Sequence, residues 1–482
     1  MAEGDRRLAA SRHKAAPTPD APPAAPPPSH APAPADVTRD SAAAPLRAPS
    51  FAGSGISHDA GPKAPGSWSQ RIRSFGAPPL ARALATLEAA PPMAVAIAIM
   101  AVASGVYWFT SSREATNFDY FVRLADAFLH GRTYLTDAPS WLNELIPKDG
   151  VWYVAYPPMP AIALMPFVAV FGTGFHQQIA SCLFGGISVG LMWLVLGHFR
   201  LSSISRLMLT AVFGFGTVLW FSSETGSAWL LSQSTAVMFA TAALLPALNH
   251  RQPLLAGLLL GCATIARLPV GLTAPFYLAL LLELEWPPRI PANRWAAVSV
   301  TIFFAIGLFL PEAFNSLYNL VRWGTPIDQG YVLIPGVLQD PIYRDHGILS
   351  VYYIPRQLYA IFFRSWNFVE QAPYLKPSWY GLSLFLTTPL LVWLVRARIQ
   401  DRRVVYAAIG IGLALIPIIT HGNVGLTQFG YRFSLDVQPL LFVVLATVFE
   451  RGVSKLAWTA AAASIATVAY GVWATGSGFV SF

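Results

Sequence analysis

Charge-free apolar runs recur along this chain from residue 92 almost to its end, and nothing else in the sequence limits its fold so severely. A helix needs about 20 apolar residues to cross about 30 Å of hydrocarbon, and on that measure there are about eleven candidate spans. They lie near 92–110, 177–197, 206–221, 233–248, 253–266, 269–283, 295–314, 378–395, 404–420, 436–450 and 456–474. Only 12% of the residues are charged, whereas a water-soluble domain carries about 25%. The expected fold is therefore an all-α, polytopic transmembrane helix bundle with amphipathic surface helices in long extracytoplasmic loops. The 15 Trp and 17 Tyr suit a molecule with two lipid–water interfaces to anchor. Cys182 and Cys262 sit within apolar runs and read as packing residues. There is no CxxC, HExxH, Walker loop or GxGxxG after a strand, so nucleotide-driven chemistry has no support.

Three domains follow from composition. Residues 1–66, rich in Ala and Pro, are expected to form a disordered cytoplasmic tail. Residues 67–91 carry Arg71, Arg73 and Arg82 and read as a basic segment beside the membrane. The transmembrane domain occupies 92–482. The formal charge of +8 fits the positive-inside rule and gives no reason to expect nucleic acid.

Orientation turns on Tyr156–Gly172, YPPMPAIALMPFVAVFG, which contains four prolines. If it does not cross, Arg200, Arg206, Arg251, Arg289, Arg294, Arg396, Arg398, Arg402, Arg403, Arg451 and Lys455 all fall in short cytoplasmic turns. A crossing would place them outside, so charge favours a segment that does not cross. The amino terminus is then cytoplasmic, and residues 111–176, 315–377 and 421–435 form the extracytoplasmic, working face.

The first of these loops opens TNFDYFVRLADAFLHGRTYL and closes GVWYVAYPPMPAIALMPFVAVFG. Three stretches follow in order: GLLLGCATIARLPVGL at 257–272, YNLVRWGTPIDQGY at 318–331 and QFGYRFSLDVQPLL at 428–441. This succession resembles bacterial membrane glycosyltransferases of the GT-C fold, in particular the protein-mannosyltransferase-like branch that uses polyprenyl-phosphate sugars. The likeness covers most of residues 92–450 and leaves out the tail. It implies a multi-pass protein of the inner (cytoplasmic) membrane with an extracytoplasmic active site. Its partners would be a polyprenyl-phosphate-linked sugar, membrane lipid and an extracytoplasmic acceptor. It also implies a catalytic acid shortly after the first span, a position that Asp119 occupies. Members that use a divalent metal often show paired acids there. This chain has no DxD, so a metal remains possible without that support and no metal ligand is assigned.

Glycosyl transfer from a lipid phosphate needs a base for the acceptor, cations for the leaving phosphate and an apolar groove for the lipid. On a helix, Asp119, Arg123 and Asp126 share one face, which makes Asp119 the first candidate base and Asp126 the second. The plainer reading is a solvated surface stripe. Arg432, Arg267 and Arg356 are the candidate donor-phosphate ligands, since arginine stays charged and binds phosphate through paired N–H groups. Against this, Arg267 could snorkel to the headgroups, Arg432 could pair with Asp436, and Arg356 sits in YYIPRQLYAIFFR, a typical surface-helix pattern. Tyr153, Tyr156, Gln329, Tyr331, His346, Gln428 and Tyr431 are candidate substrate-binding residues, or else belt and structural residues. Glu144 and Glu224 are outer carboxylates without a strong motif, Glu312 could line the cavity or cap a helix, and His130 reads as structural. Two other classes stay open, a transporter or lipid flippase and a glycan polymerase or ligase, as does an inactive scaffold of the same fold.

Overall fold

The computed structural model describes residues 86–289 and 293–479; the tail 1–66 and most of the basic segment 67–91 lie outside the described residues. The helices in chain order are α1 (Pro92–Thr110), α2 (Tyr120–Leu129), α3 (Met159–Phe171), α4 (Gln177–Leu196), α5 (Ser203–Phe215), α6 (Leu219–Thr225), α7 (Ala228–Leu248) and α8 (Pro253–Thr264). They continue with α9 (Ala274–Leu281), α10 (Arg294–Trp323), α11 (Gly330–Leu333), α12 (Ile354–Phe362), α13 (Leu384–Thr387), α14 (Arg402–Thr420), α15 (Gln438–Phe449) and α16 (Lys455–Gly476). Two small antiparallel hairpins, β1 (Leu145–Lys148) with β2 (Val151–Val154) and β3 (Asn367–Phe368) with β4 (Leu375–Lys376), add to the all-helical plan.

Among the described residues, six helices are long and apolar enough to cross a membrane: α1, α4, α7, α10, α14 and α16. The count is seven if α5 and α6, bent by 46°, form one span. The chain is thus a multi-pass helical membrane protein, and the remaining expected spans are shorter or broken. Residues 253–266 hold a helix of 12 residues and residues 436–450 another of 12. Residues 269–283 combine a 3-10 turn with the short α9. Residues 378–395 do not form one helix: α13 stops before Pro389, whose missing N–H and ring disfavour continuation, and a 3-10 stretch follows. The polar groups released by these breaks find each other. Thr388 Oγ1 donates to the Gly216 carbonyl at 2.7 Å, and Ser464 Oγ accepts from the Leu390 N–H at 3.2 Å. Such pairing is what an irregular backbone needs inside hydrocarbon.

The interior and periphery of the bundle differ in kind. In α4 and α7, 72% and 78% of the apolar window is buried; in α1 and α10 the figures are 22% and 17%, leaving Phe309, Leu310 and Leu317 to face lipid. Close helix approach relies on small residues, which suit contacts that gain little from water exclusion. A Cβ on Gly186 would strike Ser104 and the Met100 carbonyl of α1, and one on Gly257 would strike the Phe304 carbonyl of α10.

The two long loops, 111–176 and 315–377, and the short loop 421–435 share one end of the bundle. β1 and β2 turn at Asp149-Gly150, both with positive φ (54° and 78°), the geometry that a two-residue hairpin turn requires. The hairpin is pinned to the end of α10: Lys148 Nζ donates to the Arg322 carbonyl at 2.8 Å, and Arg322 Nη1 donates to the Val154 carbonyl at 2.5 Å. The apolar face of α2 (Phe121, Leu124, Ala125) packs with α3 residues Ala161 and Leu164 in one core cluster. So Tyr156–Gly172 contributes a helix of 13 residues whose partner is a loop helix. From the second loop, Gln357 of α12 donates to the carbonyls of His421 (2.7 Å) and Asn423 (3.0 Å) in the third. Arg200, Arg206 and Arg403 gather instead with Trp193, Asp401 and Glu450 at the ends of α4, α14 and α15.

Candidate active site

Arg432 begins the 3-10 turn Arg432–Asp436 that leads into α15, and the interior helix α7 fixes it from below: Gln233 Nε2 donates to the Arg432 carbonyl at 3.1 Å. The side chain is buried (8% exposed), and its Nε is sealed from solvent with no hydrogen-bond partner. The guanidinium makes no ion pair among the described residues; it rests against the Phe433 ring at 5.4 Å. Arg267, at the end of α8, lies against the same ring at 5.4 Å. Its Nε and Nη2 form a two-point pair with Asp436, at 3.0 and 2.8 Å, and the Asp436 side chain is fully buried. Asp436 therefore pairs with Arg267 and not with Arg432, and Arg267 is clamped instead of snorkelling. Burial, then the nearby charge of Arg267, pushes the Arg432 guanidinium down to about 10. Even so it remains a cation at neutral pH.

Arg356 of α12 reaches the same cluster from another direction. The Gln357 bonds above, with Tyr431 Oη donating to Gln357 Oε1 at 2.8 Å, hold α12 on the 421–435 loop. Arg356 makes no hydrogen bond or ion pair of its own among the described residues, and it lies in electrostatic range of His421 and Tyr343. The His421 ring packs on Tyr331 (5.7 Å), Tyr343 (5.9 Å) and Phe433 (6.1 Å). Burial lowers its pKa, and Arg267, Arg432 and Arg356 lower it further, so the imidazole is neutral at neutral pH. Tyr331 and Tyr343 share a hydrogen bond of 3.1 Å between their hydroxyls. Three guanidinium charges thus stand against one committed carboxylate, Asp436. Two remain to be met, and an anion with several acceptor oxygens would meet them.

On the side of the first loop, Asp119 precedes α2. Its Oδ2 pairs with Arg123 Nε at 3.0 Å, as the spacing of four predicts, while its Oδ1 is buried without a partner. Asp126 is engaged elsewhere, by His130 (3.5 Å) and Arg132 (3.6 Å). Glu144, which carried no motif, stands between the two groups: Tyr120, Asp119's neighbour, accepts its N–H, and Arg432 and Tyr331 lie within its electrostatic range. Tyr156 Oη accepts from Trp229 Nε1 at 2.7 Å and stands beside it.

The other expected residues are placed less centrally. Tyr153 packs on Tyr134 and Trp323. Gln329 precedes α11, its carbonyl accepting from Leu333. Gln428 braces its loop through the carbonyls of Tyr380 and Val424, and Tyr431 braces α12. His346 is exposed and stacks on Tyr352 at 3.8 Å. His421, Tyr343, Trp229 and Gln233 join the site without having been singled out, because only the chain's return to one end brings them together.

No family model matches the sequence, and no curated protein matches it. Solved structures to which the chain is similar include ArnT from Cupriavidus metallidurans bound to undecaprenyl phosphate and the same protein in the apo state. Each is 14% identical over 78% of this chain, with a TM-score of 0.47. The chain spans 63% of the length of those structures.

Proposed function

We propose that this chain is a membrane glycosyltransferase of the GT-C kind that moves a sugar from a polyprenyl-phosphate donor to an acceptor on the extracytoplasmic side. The carrying observation is Arg432, a buried cation with no acid of its own among the described residues, beside a second guanidinium already clamped by Asp436. Leaving a charge buried and unpaired costs several kcal/mol, about the penalty that a bound anion would relieve. Arg432 and Arg356 would grip the donor phosphate, with Arg267 reinforcing the local potential. Tyr331 lies within electrostatic range of Arg432, and exposed apolar residues of α10 and α12, such as Leu317 and Phe362, would offer the apolar flank that a prenyl chain needs.

In this reading Asp119 is the base. Its Oδ1, buried without a hydrogen-bond partner among the described residues, takes the acceptor's proton as the acceptor oxygen attacks the anomeric carbon. The bond from that carbon to the phosphate oxygen breaks, its electron pair goes to the phosphate, and the configuration inverts. Among the described residues no three His, Cys, Asp or Glu side chains gather as metal ligands, and no step here depends on one. The resemblance in the loop motifs points to the mannosyltransferase-like branch; the transferred sugar and the acceptor are to be found by assay.

The test is transfer of label from polyprenyl-phosphate sugars in membranes containing the protein. Asp119→Asn should lower the rate by about 10²–10⁴-fold at normal expression, the usual worth of a general base. Full activity in that variant would remove Asp119 from the role. The breaks between α5 and α6 and at Thr388 favour a second reading, a lipid transporter, because discontinuous helices often build such sites. Movement of the lipid-linked sugar across vesicles without cleavage of its phosphate bond would decide for it.

A further inference from the structure

We infer that Glu144 is a ligand of the donor and acts as a neutral carboxylic acid, its O–H donating to the phosphate gripped by Arg432. This rests on the phosphate-donor reading above. Two elements hold the residue in place. The Glu144 N–H donates to Tyr120 Oη of α2 at 3.1 Å, and Oε2 accepts from Trp229 Nε1 of α7 at 3.2 Å. The indole N–H is shared with Tyr156 Oη at 2.7 Å, so Trp229 ties the carboxyl to the residue that opens α3's proline run. Oε1 has no hydrogen-bond partner among the described residues, and it is not one of the sealed orphan atoms. It is therefore the oxygen free to meet a ligand.

The titratable and charged groups around this carboxyl are Arg432 from the 3-10 turn, Tyr331 from α11, Tyr120 from α2 with Asp119 beyond it, and Tyr156 ahead of α3. Arg432 is the only cation in that set. A carboxylate here would compete with a phosphate for Arg432 and would repel the phosphate besides. A carboxylic acid does neither and supplies a donor. Burial, opposed by the Trp229 bond and by Arg432, already pushes Glu144 up to about 7. A phosphate on Arg432 cancels the one positive charge that favours ionisation, so donor binding and protonation of Glu144 should reinforce each other.

The experiment uses the full-length protein in lipid nanodiscs and a short isoprenyl methyl phosphodiester, whose single charge does not titrate near neutrality. Affinity and proton uptake are measured by calorimetry in buffers of different ionisation heat. If the protonated form alone binds, the wild-type dissociation constant rises about 50-fold from pH 7 to pH 9, with proton uptake at the alkaline end. Glu144→Gln, neutral and still a donor, should bind within about threefold of the wild-type pH 7 value throughout, with no uptake, and Glu144→Ala about tenfold more weakly at every pH. A Glu144→Gln variant that keeps the wild-type pH slope, or that binds worse than Glu144→Ala, overturns the inference. Tight, pH-independent binding that Arg432→Gln abolishes overturns it alone and leaves the phosphate reading standing. Failure of the wild type to bind the diester at any pH sinks both.

Discussion

Arginine concentrates at both ends of this bundle, but the two sets are treated differently. Away from the long loops, Arg403 reaches Asp401 at 2.7 Å and Glu450 at 2.9 Å, while Arg206 lies over the Trp193 ring at 3.8 Å and donates to the Trp193 carbonyl. Arg403 has an acid on either side, and its pairs tie the start of α14 to the end of α15. Of the three arginines near His421 at the loop end, Arg267 has an acid, while Arg432 and Arg356 have none among the described residues. The first arrangement is a clasp. The second is poor for stability and suited to receiving an anion, since a buried ion pair broken on one side leaves a costly charge. Under the proposed function, the same residue type serves assembly at one end and recognition at the other.

The largest effect separating the two ends should come from Arg432→Gln, which would lower kcat/KM for the lipid-linked donor by about 10²–10³-fold, the usual loss of one transition-state donor. Thermal unfolding should be unchanged or slightly later, because an unpaired buried charge has gone. A marked loss of stability in Arg432→Gln would place it among the clasp residues. Asp436→Asn comes next: it strips Arg267 of its partner and should cost about 3 kcal/mol of stability as well as activity. The pair is read by calorimetry and donor kinetics on the same preparation. Glu450→Gln should cost only about 1 kcal/mol, since Arg403 keeps Asp401 and the pair is partly exposed. The KM for donor should not move.

The sequence made this contrast half legible. Span positions and the positive-inside pattern follow from hydropathy and charge, which act locally, so α1, α4, α7, α14 and α16 stand where their apolar runs lie. Arg432 and Arg267 were recognisable as unusual because a cation beside an apolar run is costly wherever it ends up, whereas Arg356 sat in an ordinary surface-helix pattern. Their partners were not. Nothing local distinguishes Arg432–Asp436, four apart, from Arg267–Asp436, separated by 169 residues; only the fold decides that the distant pair forms. Glu144 read only as a carboxylate without a motif for the same reason. The Asp149-Gly150 turn of the neighbouring hairpin is a local feature, but Trp229 and Arg432, which give the carboxyl its character, arrive from α7 and the last loop. Where the span at 378–395 was expected, hydropathy saw an apolar run and could not see that Pro389 and the contacts of Thr388 would divide it.

The smallest effect is also the one that sets the two ends apart by sign. In the clasp, burial alone would raise Asp401, but hydrogen bonds from the Arg403 side chain and backbone outweigh it and hold the carboxyl below its ordinary range. A group whose folded pKa is depressed contributes stability above its unfolded value and loses it as pH falls through the folded one. Melting temperature should therefore drop slightly on acidification below about pH 4, and Asp401→Asn should flatten that limb. Glu144, raised by burial, sits on the opposite side: the form that suits an anion is the protonated one, lost as pH climbs past about 7. Acid should weaken the clasp while leaving the phosphate site competent, and mild alkali should do the reverse. Thermal melts and diester binding run across one pH series would test this opposition. If melting and binding decline together at both extremes, the two arginine sets are not electrostatically distinct, and the division of labour between the ends is wrong.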